Sequence, residues 1–180
     1  EEAKTKARQE IEAKREELKN RLQSIRDEQK KKRVEKLEKE LNELNERMTN
    51  HFSEVLDKLD KVLVNVKSRT DKAEARGWEV SAVRAMITSA EGTIAAARAA
   101  VAAQAGKTYT PQITGVEGKL KVEVGQARQA LHNDIVAVRE KVKASREAVR
   151  SVATTLAKVP RIDEEPSPSP TLSPTPSPTP

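Results

Sequence analysis

The sequence predicts an all-α protein built from long, heptad-patterned helices, and three observations carry that prediction. Up to Arg76 the chain contains no Pro and no Gly, and its charges fall as acid-before-base pairs at i, i+4, among them Glu10 with Lys14, Glu17 with Arg21 and Glu35 with Lys39. Apolar residues recur in alternating steps of three and four through three separate stretches. Phe52, Trp78 and Tyr109 are the only aromatic rings, whereas β sandwiches and barrels draw heavily on aromatic and β-branched residues. The expected architecture is a long helical hairpin, or elongated three-helix antiparallel coiled-coil bundle, with a projecting N-terminal helix and a disordered Pro-rich tail. Apolar residues make up 36% of the 180 and charged residues 34%, a balance that argues against a thick globular core.

The first element is read as one helix from Glu1 to Arg76, which at 1.5 Å per residue spans roughly 110 Å and must project, pair or bend. Its seam runs Val34, Leu37, Leu41, Leu44, Met48, then through a stutter at Phe52 to Val55, Leu59, Val62 and Val66. Before Val34 the stripe thins: Ile11, Leu18, Leu22 and Ile25 are followed by Gln29 and Lys32, within the basic run Lys30 to Arg33. Residues 1–50 are therefore a charged extended helix, either a solvated single helix held by charge pairs or half of a partner-dependent coiled coil.

Residues 51–159 are expected to form the hairpin or bundle. Its first turn lies near 77–81, with Gly77 suited to the left-handed C′ position and Ser81 to the N-cap. The next helix has Val83, Ile87, Ala90, Ile94, Ala97 and Val101 as its seam, with mostly small residues between. A loop near 105–118 holds Gly106, Tyr109, Pro111 and Gly115 and redirects the chain. A last helix to about Val159 carries Val124, Ala127, Leu131, Ile135, Val138, Val142, Ser145, Val149, Val152 and Leu156, with one extra step of four at Ile135. Pro160 ends it, and residues 160–180 mostly alternate Pro with Ser or Thr, which forbids helix and favours extended polyproline II. That tail reads as a spacer, an O-glycosylated stalk or a ligand for proline-reading domains.

Chemistry is harder to find. With no Cys, disulfides, thiolate metal sites and cysteine nucleophiles are excluded. His51 and His132 lie far apart with no ligand spacing around either. Phosphate-cradling and nucleophile-elbow motifs are missing, and a thin helical bundle offers little concave volume. The sequence thus names no catalytic, cofactor-binding or metal residues, and neither an enzyme nor a small-molecule substrate is expected.

Charge says more. Lys and Arg total 34 against 28 acids, giving +6 and a pI near 9.5. Between Gly106 and Val159 ten bases face five acids, which with the run at Lys30 supplies two regions able to meet nucleic acid or another polyanion. Stacking aromatics and a reading motif are missing, so solvated helix faces account for most of these bases. No run reaches the 18 apolar residues of a membrane span; Ile94 to Ala105 comes nearest and is interrupted by Arg98. The chain begins at Glu1, which leaves room for a cleaved leader or an upstream anchor.

The charged first helix, the turn RGWEVSAV, the Ala-rich second helix, the loop AGKTYTPQITG and the stretch ALHNDIVAVREKVKASREAVR before the tail resemble exported bacterial coiled-coil proteins that are uncharacterised. The resemblance implies a secreted or cell-envelope location and carries no activity or site. The expected function is a non-enzymatic structural or interaction protein that meets a protein partner, or a second copy, through its heptad seams; binding of nucleic acid or an anionic envelope polymer is the alternative.

Overall fold

The computed structural model describes residues 2–159, with side chains from Thr5 onward. Among them the fold is all helical: α1 (Glu2–Leu22), α2 (Glu28–Ala75), α3 (Ser81–Ala105) and α4 (Leu120–Leu156), with a single 3-10 turn at Glu117–Lys119. The Pro-rich tail expected at 160–180 lies outside the described residues.

The 48 residues of α2 make an axis about 72 Å long. Helix α4 runs parallel to it, for Val124 shares a cluster with Val34 and Leu131 with Leu41, and the C-terminal parts of both helices, from Phe52 and from Val138, share the largest cluster. Helix α3 runs antiparallel to α2: Arg84 pairs with Asp71, Lys67 with Glu91, and Arg98 with Asp57 and Asp60. Its seam residues Val83, Ile87, Ala90, Ile94, Ala97 and Val101 are all buried. Alanine on that seam keeps α3 close to both neighbours, so α2, α3 and α4 each pack against the other two.

The single helix expected from Glu1 to Arg76 is instead two helices, and the N-terminal one folds back rather than projecting. Helix α1 is antiparallel to α2, with Arg8 on Glu46 and Arg15 on Glu38. Its residue Ala7 and the end of α3 at Ala105 line one hollow, so α1 continues the column that α3 leaves at Ala105. The physical reason is burial. Folding back covers Leu18, Leu22 and Ile25 to 2% exposure or less, against Val34, Ile113, Leu120 and Val124, at roughly 1.5–3 kcal/mol for each large side chain. A straight helix would leave all three in water. Helical hydrogen bonds lost at the bend are partly replaced, because Asp27 caps α2 by accepting from the Gln29 and Lys30 amides at 2.9 and 3.1 Å.

Helix α2 ends with Gly77 at φ +83°, where the Gly77 and Trp78 amides return to the Glu74 and Ala73 carbonyls. The expected N-cap at Ser81 is corrected by one residue: Val80 is the cap position and Ser81 opens α3. The capping oxygen comes from Glu79, whose longer side chain accepts from the Ser81 amide at 2.8 Å. Hydrogen bonds from Ser81 side chain and backbone hold the Glu79 carboxyl below its ordinary pKa.

The loop after α3 is a strap, not a tight turn. Residues 107–116 run beside α1, with Lys14 donating to Thr108 Oγ1 at 2.7 Å, Arg21 to the Ile113 carbonyl at 3.2 Å and Ser24 to the Gly115 carbonyl at 3.2 Å. The strap's own residues Tyr109, Pro111 and Ile113 are buried, which puts it where a third helix would otherwise pack on α4.

Candidate functional site

Where α3 stops and α1 begins, a buried polar cluster joins every helix. Glu38, Asn42, Asn45 and Thr49 step 4, 3, 4 along one face of α2 and are all at least nine-tenths buried. Asn45 Nδ2 donates to the Gln104 carbonyl of α3 and to the Lys107 carbonyl just beyond it, each at 3.1 Å, and so ties α2 to the point where α3 gives way to the strap. Gln104 Nε2 donates to Asn45 Oδ1 at 2.8 Å and to the Tyr109 hydroxyl at 2.6 Å. The Tyr109 amide donates to Asn42 Oδ1 at 2.9 Å, and Asn42 Nδ2 donates to Glu38 Oε1 at 2.7 Å. Arg15 of α1 neutralises Glu38 at 3.1 Å.

The cluster reaches α4 through Asp134, which accepts from the Tyr109 hydroxyl at 2.6 Å and pairs with Lys107 at 2.9 Å. Burial and the neighbouring Asp134 push the Tyr109 phenol well above its ordinary range. Burial also works to raise the Asp134 carboxyl, but hydrogen bonds from Lys107 and Tyr109 outweigh it and hold the group below its ordinary pKa. The phenol therefore stays protonated and the carboxylate ionised across neutral pH. Neither is poised to exchange a proton, so the arrangement acts as a clamp that sets helix register.

On the side of α2 turned away from the column formed by α3 and α1, no helix among the described residues covers the α2/α4 pair. There Leu37, Leu44 and Met48 of α2 and Ile135 of α4 border an open groove of about 1100 Å³. It continues past Arg33 and Lys121 into a second hollow of about 530 Å³. Leu44 is 38% exposed although it sits in the middle of a heptad seam. Ile135, at the extra step, is half-buried: it packs against the core and also borders this groove.

Of the two histidines, His132 lies in the groove wall, while His51 is exposed beside the Phe52 ring at 6.0 Å between centroids. The structure does not bring them together. Among the described residues no group of three metal-ligating side chains converges, and no helix is long and apolar enough to cross a membrane. From the basic run, Lys30 is engaged with Glu117 and Asp27, whereas Arg33 stands at the groove mouth.

Sequence reasoning overlooked the clamp. Its signal was present as a polar stripe of heptad spacing, Glu38-Asn42-Asn45-Thr49, lying beside the apolar seam. Comparison of the chain with protein-family models, curated proteins and solved structures finds no match.

Proposed function

We propose that this chain is a non-enzymatic helical interaction protein, a three-column rod whose uncovered α2/α4 face meets a protein partner or a second copy. The observation that carries the reading is the seam left partly open at Leu37, Leu44 and Met48, on the side of α2 turned away from α1. A packed helix pair that keeps seam residues half in water has apolar area to offer another surface. A secreted or cell-envelope location, with the Pro-rich tail as a spacer, rests on the resemblance to exported coiled-coil proteins.

Small-angle scattering with light-scattering mass tests the rod. A compact globule of this length has a radius of gyration of about 16 Å. A rod built on the 72 Å axis of α2 exceeds about 21 Å from its length alone. A value near 16 Å for a monomer overturns the proposal.

The second reading, polyanion binding, is supported by exposed bases on α4, among them Lys121 and Arg128, that have no ion pair among the described residues. Affinity for single-stranded DNA or heparin that falls steeply and linearly with log salt supports it. Absence of binding at low salt removes it.

A further inference from the structure

We propose that the α2/α4 groove receives an amphipathic helix of a partner protein that carries acidic residues along its flanks. This rests on the interaction-protein reading above and names the partner's chemistry.

The floor is right for a helix. Leu37, Leu44 and Met48 fall seven and four residues apart on one face of α2, with Ile135 opposite on α4. From Arg33 to Met48 the groove runs about 22 Å, four helical turns. An incoming helix with apolar residues at i, i+3, i+4 and i+7 matches that length and spacing.

The rim decides the charge. Arg33 and Arg47 on α2 and Lys121 and Arg128 on α4 border the groove. All four are exposed, and none has an ion pair among the described residues. Along the α2–α3 seam the chain does the opposite, matching Arg84 with Asp71 and Glu74, and Arg98 with Asp57 and Asp60. Of the acids that border the groove, Glu40 and Glu43 sit at 3.7 Å from Lys36 and Lys39 of their own helix, and Glu117 is paired with Lys30. A second copy seated face to face would bring its own Arg33, Arg47, Lys121 and Arg128 against the same four bases, and like charges disfavour that pairing. A flexible polyanion would satisfy the bases and leave the apolar floor wet.

Gly125 is compatible with a close-packed occupant. It lies within α4, where glycine costs about 1 kcal/mol relative to alanine. Yet a Cβ there would meet nothing within 4 Å. Nothing inside the chain requires a bare backbone at this point, as is also true of Gly92 in α3, and in the groove wall the missing side chain leaves room for a neighbouring backbone.

The test is fluorescence anisotropy on the full chain with a labelled peptide of about 18 residues, Leu along one face and Glu along both flanks. The expected result is saturable binding that weakens with salt. It should fall by about tenfold or more on Leu44→Glu and on Gly125→Trp. Gly125→Trp fills the groove from an exposed position, and its thermal melt by circular dichroism should match the parent. Four outcomes overturn the proposal: no saturable binding; equal binding by both variants; equal binding of polyglutamate of the same length; or a dimer by light scattering that Leu44→Glu returns to monomer, which makes a second copy the occupant. Each leaves the scattering result for the rod standing, so this inference and the reading beneath it fail separately.

Discussion

The Tyr109 hydroxyl donates to Asp134 Oδ2 at 2.6 Å, and through that bond the strap is tied to α4 while the Tyr109 amide is tied to Asn42 of α2. One residue thus sets the relative height of two helices that never follow one another in the chain. Because Tyr109 is 5% exposed, each of its polar groups needs these partners, and a slip of either helix would leave them unmatched.

Replacing Tyr109 by Phe keeps the ring and removes both hydroxyl bonds. Gln104 retains Asn45, and Asp134 retains Lys107. The expected cost is about 1–2 kcal/mol, seen as a lower urea midpoint at unchanged slope. An unaltered midpoint would mean the phenol adds nothing to stability.

The Asp134 carboxyl is held below its ordinary pKa of 3.8, so it binds its proton less readily folded than unfolded. Its contribution is present above about pH 4 and is lost as pH falls through the lower folded value. Asp134→Asn should destabilise the protein at pH 7, and the gap between variant and parent should narrow as pH drops below 4. Chemical denaturation along a pH series checks this, and a gap that widens in acid contradicts it.

Gly115 has φ +82°, and a Cβ there would lie 2.5 Å from Ser24 Oγ. Ser24 is the bend residue that donates to the Arg21 and Gly115 carbonyls. Gly115→Ala should therefore strain the seating of α1 by about 1–3 kcal/mol. Hydrogen exchange should quicken across residues 5–22 and stay unchanged over α4. Uniform quickening would place the strain elsewhere.

Ile87 is 4% exposed in the largest core cluster. Ile87→Asp puts a carboxylate with no ion-pair partner there and should abolish the cooperative helical melt, a loss of more than about 4 kcal/mol. A parental melt would contradict the packing of α3.

Much of the fold was legible along the chain. The seam from Val83 to Val101 is buried residue for residue, and Gly77 adopts the positive φ that its position suggested. Both depend on neighbours within a few residues, where periodicity and turn chemistry act directly. The groove was legible only in part: Leu37, Leu44 and Met48 read as seam, but nothing local says that α3 and α1 will share one side of α2 and leave the other side of the α2/α4 pair uncovered. The clamp was legible as spacing and not as contact, since Asn42, Asn45 and Gln104 find partners about 60 residues away.

What the sequence by itself determined is the helical content, the faces of the helices and the turn at Gly77, because side-chain periodicity and backbone sterics are properties of short segments. The bend at 23–27 was decided by tertiary structure alone. That segment has no Gly or Pro to mark it, and as an isolated stretch it suits a continuous helix. Burial of Leu18, Leu22 and Ile25 becomes available only once the strap and α4, some ninety residues further on, present Ile113, Leu120 and Val124 to receive them. The apolar area gained there outweighs the helical hydrogen bonds given up at the bend.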